Sequence, residues 1–173
     1  MYITAGESSQ MAKNTKEENK IMVAQNKKAF YDFFILDRYE AGIALIGCEV
    51  KSIREHRVNL KDSYARIKNG EMFVYNMHIS PYSKSRLEDI NPVRPRKLLM
   101  HKREINKING KMTDKSLTIV PVSIYISGGL VKVEIATAKG KLKSDKREDL
   151  AKRDSGLEVM RALKARSFKD KSR

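Results

Sequence analysis

One cysteine, Cys48, and three histidines, His56, His78 and His101, are all that this 173-residue chain offers for thiol or imidazole chemistry. A single cysteine forms no intramolecular disulfide, which fits a reducing, cytoplasmic setting. The histidines lie far apart, none with a partner four residues on, and with one thiol they assemble no zinc signature. Gly110-Lys111 is not a phosphate loop, because Ile105 stands where that motif needs glycine and Met112 where it needs Ser or Thr. Cys48 is read as a small hydrophobe rather than as half of a Cys–His nucleophile pair. No apolar run approaches the ~18–20 residues of a membrane span. Residues 1–20 lack the apolar centre of a signal peptide. The sequence thus predicts no enzyme, no metal, no cofactor and no membrane partner.

Acidic residues are also short: 21 stand against 36 Lys and Arg, for a net charge of +15. The excess is not a uniform coat. Residues 94–111 hold seven basic residues and one acidic, and residues 139–173 hold thirteen and six. Phosphate backbones attract such blocks through counterion release, with anionic membranes as the rival partner. A basic arm hung on a small folded body points to a nucleic-acid binder.

At 40% hydrophobic the chain can bury a core. Phe33–Leu36 and Ile43–Ile46 read as strands around a turn or bend at Glu40-Ala41-Gly42, and 49–56 as a helix. Asn69-Gly70, flanked by 64–68 and 71–75, marks a type I′ β-hairpin. Ser83 to Pro95 reads as a long loop. Pro95 then suits the first turn of a basic helix over 96–111, with Leu98, Ile105 and Ile108 on its apolar face. A second hairpin joins 117–126 to 130–136 around Ser127-Gly128-Gly129, with Pro121 marking an edge or bulge. These elements predict a mainly β protein, a small antiparallel OB-like barrel with flanking α-helices. The expected organisation is a disordered polar leader over 1–24, the barrel over 25–138 and a basic tail over 139–173.

Several residues carry two readings. The basic helix is either a solvated amphipathic face or a phosphate-contacting one, and its Lys97 belongs to the second reading. The cluster Phe30 to Phe34 is either core and barrel rim or a stacking platform for bases. Glu40 is either simply exposed or an acceptor for base amino groups or a 2′-OH. Asp145 with Glu148 resembles a capping box that could start a tail helix.

Ordered blocks carry a family resemblance. They run Asn26-Lys27-Lys28-Ala29, Glu40-Ala41-Gly42-Ile43, 49–54, 58–65, 75–79, 96–105 and Ala138-Lys139-Gly140-Lys141, with Asp145-Lys146-Arg147 behind. In this order and spacing the chain resembles the SsrA-binding protein (small protein B) family of bacterial trans-translation factors, from about Asn26 to Arg153. The resemblance implies an OB-like barrel that binds the tRNA-like domain of transfer-messenger RNA (tmRNA). It implies a non-catalytic partner that stands in for the missing anticodon arm and works with elongation factor Tu. It also implies binding to the 70S ribosome, small-subunit rRNA included, and tagging of the nascent chain for proteolysis. A monomer is expected.

By the same resemblance Asn26, Glu40 and Leu99 fall on RNA-binding positions and Phe33 sits where the family commonly has an aromatic residue; Lys97 joins this expected RNA-binding set from the basic stretch. Gly140, Lys141, Asp145, Lys146 and Arg147 match the tail motif that the family uses in the decoding site and mRNA channel, and Lys143 is expected to grip phosphate beside them. The tail's charge density and lack of a steady apolar stripe predict disorder when free and a helix on the ribosome. Phe30 and Tyr31 replace a basic residue and a histidine common in the family. Leu142 interrupts a lysine pair, Ser144 stands where a ring is frequent, and Ser155-Gly156 should loosen a tail helix. The alternative is a generic OB-type binder of RNA or single-stranded nucleic acid.

Overall fold

Alternating burial, more than helical periodicity, governs how this chain folds. The computed structural model describes residues 20–82 and 91–147. The leader through residue 19, the expected loop over 83–90, and the tail beyond Arg147, with Glu148 and Ser155-Gly156, lie outside the described residues. The elements in order are β1 (Ile21–Gln25), α1 (Lys27–Asp32), β2 (Phe33–Ile43), α2 (Gly47–Arg54), β3 (Val58–Asn59), β4 (Tyr64–Lys68), β5 (Glu71–Tyr75), β6 (His78–Ile79), β7 (Arg96–Leu99), α3 (Lys102–Lys111), β8 (Leu117–Ser127) and β9 (Leu130–Gly140).

The main sheet runs β1-β8-β4-β5-β7-β2-β9, and a further β8–β9 pairing joins its ends. Six strands therefore close into a ring, with β1 added along β8. The expected mainly β fold with flanking helices is what forms. Closure removes the exposed edges that a small open sheet would leave. The inner faces of the strands supply Ile43, Ala65, Met72, Val74, Leu98, Ile119, Ile124, Val133 and Ile135 to one core. Ile53 of α2 and Ile108 of α3 complete it. A smaller cluster sets Ala29 of α1 against Val120 and Ala138 on the other side of the β8–β9 pair.

Both hairpins follow their turn residues. Asn69 and Gly70 sit at φ +53° and +73°, and Gly128 and Gly129 at +57° and +77°. Positive φ at both central positions is the type I′ signature. The β8–β9 register slips between Pro121 and Ser123, the irregularity that proline announced.

Four expectations are corrected. The turn or bend expected at Glu40-Ala41-Gly42 does not divide two strands, since β2 runs unbroken through it to Ile43. Alternation continues through this stretch, with Ala41 and Ile43 both facing the core. The basic helix does not start at Arg96. Residues 96–99 form β7 between β2 and β5, and helix α3 begins only at Lys102. Leu98 lies seven residues before Ile105, so a strand residue mimicked a helical stripe; the true period there is two, with Arg96 and Leu98 inward. The leader ends earlier than expected, because Ile21–Gln25 pairs with β8. Finally, β9 runs on through Gly140, beyond the strand end expected at Ala136.

The chain divides after Lys139 into two compact units, Met1–Lys139 and Gly140–Arg173. In the second, residues 143–147 are helical. The Leu142 N–H donates to Asp145 Oδ2 at 2.9 Å, and the Lys146 N–H donates to the Leu142 carbonyl at 3.2 Å. Asp145 therefore sits inside the first turn and reaches back to the residue before the helix; it does not start the helix itself.

Candidate functional site

Three of the five expected RNA-binding residues converge. Glu40 of β2, Lys97 of β7 and Leu99 at the end of β7 line one groove of about 890 Å³, together with Gly42, His101 and Lys132. The strand pattern explains the convergence. In β7 the side chains alternate, so Leu98 is 1% exposed while Leu99 is 54% exposed. Register sets Gly42 opposite Leu99. A Cβ at Gly42 would lie 3.2 Å from Leu99 Cβ, so the glycine is what lets β7 approach with Leu99 turned outward.

Glu40 is a junction of three strands. Its carboxylate accepts from the Tyr125 hydroxyl of β8 and from Lys132 Nζ of β9, residues that face each other in register. Lys20 stands 4.0 Å from the same carboxylate and 5.0 Å above the Tyr125 ring. The bond from Lys132, then that from Tyr125, hold the Glu40 carboxyl below the usual range despite partial burial. Burial, then the bond to this carboxylate, push the Tyr125 hydroxyl pKa up. Glu40 is thus ionised and still half open to solvent, and it fixes an ammonium beside it.

The remaining cations are fewer than the charge count of 94–111 implied. Arg96 is fully buried, and its Nε and Nη2 hold Glu49 Oε1 at 2.9 and 2.8 Å. Arg94 donates to both Glu49 oxygens at 3.0 and 2.6 Å. Lys97 pairs with Glu71 at 2.5 Å and Lys111 with Asp37 at 2.6 Å. Four of that block's seven cations are therefore matched inside the fold. Among the described residues, Lys102, Arg103 and Lys107 of α3 make no ion pair. Lys107 nevertheless lies near enough to Asp37 to help lower its carboxyl pKa.

Asn26 and Phe33 lie elsewhere, in a crevice of about 250 Å³ with Lys28, Asp62 and Tyr64. Asn26 is 5% exposed and its amide is turned inward. Nδ2 donates to the Leu60 and Pro121 carbonyls at 2.9 and 3.0 Å, and Oδ1 caps α1 by accepting from the Ala29 N–H at 3.0 Å. It anchors the start of α1 to β8. Phe33 is half-buried against Ala29 and Val120, which favours the core-and-rim reading of its cluster. Of the tail set, Gly140 ends β9, Lys141 follows it, and Lys143, Asp145, Lys146 and Arg147 share the helical turn.

Sequence reasoning missed Lys132 and Gly42 as parts of the groove, and Tyr125 as the donor to Glu40. Lys132 was legible as an outward residue of an alternating strand, but only the ring closure brings it to Glu40. Among the described residues no group of three or more His, Cys, Asp or Glu can hold a metal, and no helix is long and apolar enough to cross a membrane.

A small closed barrel with a mixed-charge groove and spare cations on the adjoining helix defines a binding protein. The chain belongs to the SmpB protein family, whose model matches residues 23–165. It is 55% identical over 153 residues to an SsrA-binding protein of Caldanaerobacter subterraneus, covering 88% of this chain and 96% of that one. It is 57% identical over 145 residues to one of Carboxydothermus hydrogenoformans, covering 84% and 97%. A solved structure described as "tmRNA-SmpB: a journey to the center of the bacterial ribosome" superposes with a TM-score of 0.60 at 42% identity, over 73% of this chain and 93% of its own.

Proposed function

We propose that this protein binds the tRNA-like domain of tmRNA and, in place of the missing anticodon arm, helps deliver alanyl-tmRNA with elongation factor Tu to stalled ribosomes. It acts as a cytoplasmic monomer in trans-translation and catalyses no step itself. The observation that carries the reading is the family membership over most of the chain, joined to the groove where Glu40, Lys97 and Leu99 meet. Leu99 presents apolar surface to a sugar or base. Glu40 offers a directional acceptor, Lys97 and Lys132 flank it, and the α3 cations meet the backbone. Asn26 and Phe33 serve by fixing α1. The ribosomal role falls to Gly140 through Arg147 in the second unit.

The test is a gel shift at fixed salt. The protein should prefer a folded tRNA-like RNA to a homopolymer of equal length. Equal binding to both would leave a generic OB-type binder as the better account.

Leu99→Ala is expected to cost stability less than ~1 kcal/mol, since the side chain is half exposed. The same change should weaken tRNA-like RNA binding about tenfold, at ~1.4 kcal/mol per decade. A core-type loss of ~2–5 kcal/mol in calorimetry would show instead that Leu99 is a packing residue.

Glu40→Gln separates direction from charge. The amide still accepts from Tyr125, so stability should fall by no more than ~1 kcal/mol. Removing an anion should tighten every RNA if only net charge matters. A directional contact instead predicts weaker binding to the folded RNA, by ~1.5–3 kcal/mol, with homopolymer binding unchanged or tighter. Binding curves for both RNAs decide it.

A further inference from the structure

The outer face of the β4–β5 hairpin meets the groove only at its tip, through Asn69, Gly70 and Glu71. Strand alternation points Tyr64, Arg66 and Lys68 of β4 outward, and register sets them opposite Tyr75, Phe73 and Glu71 of β5. Tyr64 and Tyr75 stack with centroids 5.3 Å apart and planes 13° from parallel. Tyr64 remains 41% exposed, so the stack meets solvent. Arg66 and Lys68 make no ion pair among the described residues. Tyr64, Arg66, Lys68, Asn69 and Tyr75 line a concavity of about 510 Å³. Asn69, at the hairpin tip, also lines the Glu40–Leu99 groove, so the two surfaces are continuous.

We propose that this face is a second RNA contact, a stacking platform on which an unpaired base adds to the Tyr64–Tyr75 pair while Arg66 and Lys68 hold the flanking phosphates. It extends the reading of the groove as an RNA site but has its own ligand, a single-stranded segment. A cross-strand aromatic pair also stabilises a hairpin by itself. That need is met by any apolar pair, though, and does not call for two cations along the same edge of the same face. Aromatic surface gives a sequence-tolerant grip, because every base has a π face. The rings are already parallel, so binding a base orders no further side chain.

The probe is a short single-stranded RNA carrying 2-aminopurine, titrated with the full-length protein and read by fluorescence quenching. Tyr64→Ala should weaken its binding about tenfold, within the range of one lost base stack, and Tyr64→Phe should retain it. Should Tyr64→Ala lower the melting temperature, Tyr64→Leu supplies the same test, since it keeps cross-strand bulk without the ring. Replacing Arg66 and Lys68 together with alanine should reduce the slope of log affinity against log salt by about 1.4, at ~0.7 per single-strand phosphate. Unchanged quenching in both Tyr64→Ala and Tyr64→Leu overturns the platform, as does a salt slope that ignores the double variant. A folded tRNA-like RNA in parallel separates the two readings. If it binds and the oligonucleotide does not, the platform falls and the groove stands. If only the oligonucleotide binds, the groove reading falls and the platform stands.

Discussion

Glu49→Ala is expected to destabilise the barrel by ~3–5 kcal/mol, the usual result of stranding a buried charge partner. The cause is the number of groups that depend on this one carboxylate. Arg96 has no exposed surface; its Nη1 donates to the Met77 and Arg94 carbonyls, and its Nη2 donates to the Pro92 carbonyl as well as holding Glu49. Arg94 forks onto both Glu49 oxygens, and the Ile46 N–H at the start of α2 donates to Oε2 at 3.0 Å. One side chain thus fastens α2, the segment after Asn91 and the head of β7. Without it a guanidinium stays buried with no counter-charge. A drop in melting temperature of more than ~10 °C should follow for a body of this size. A change below ~1 kcal/mol in matched denaturation curves would mean that water or rearrangement replaces the carboxylate.

The same network sets a pH signature. Burial pushes the Glu49 carboxyl pKa up, but bonds from Arg94, the Ile46 N–H and Arg96 outweigh it, so the net shift is downward. The folded pKa then lies below the unfolded value of ~4.3. Its contribution is present in full above that value and disappears as pH falls through the folded pKa. The wild type's advantage over Glu49→Gln should therefore be constant near neutrality and shrink in acid. An advantage that grows on acidification would contradict the ion-pair account.

How much was legible depends on the range of each interaction. Both hairpins were, because Asn69-Gly70 and Gly128-Gly129 declare their turns within two residues and the flanking strands alternate plainly. Helix α2 was legible to within two residues from the spacing of Val50 and Ile53. Arg96–Leu99 was not. A four-residue strand carrying a buried arginine looks polar, and only Glu49, 47 positions away, makes that burial tolerable. The groove shows the same division. Glu40 and Leu99 were named from family blocks and Lys97 from the basic stretch. Their proximity depends on β2 and β7 being neighbours, with Gly42 beneath Leu99, which no local pattern encodes. Lys132 joined them only through ring closure. Charge counting misled for a related reason: it cannot see that Arg94, Arg96, Lys97 and Lys111 have matching acids from distant parts of the chain.

Replacing Lys146 and Arg147 together with alanine is expected to abolish nascent-chain tagging while changing affinity for tRNA-like RNA by less than about twofold, ~0.4 kcal/mol. The groove residues Glu40, Lys97, Leu99 and Lys132 all belong to the first compact unit, and Lys146 and Arg147 to the second. Loss in one unit therefore need not reach the other. Within the second unit the two cations share the turn over 143–147, which Asp145 secures by accepting the Leu142 N–H. Asp145→Ala should remove that acceptor and reduce tagging as well, though less than loss of both cations. The counter-charge for Lys146 and Arg147 on the ribosome would be rRNA phosphate, so tagging by the wild type should also fall with added salt. A reconstituted translation system stalled on a message without a stop codon reads tagging, and a gel shift on the same preparations reads RNA binding. Parallel loss of both activities in the double variant would reject the division of labour. Full tagging by it would remove these two residues from the ribosomal role. A truncation after Gly140 that binds the RNA and tags nothing would place the whole ribosomal contribution in the second unit.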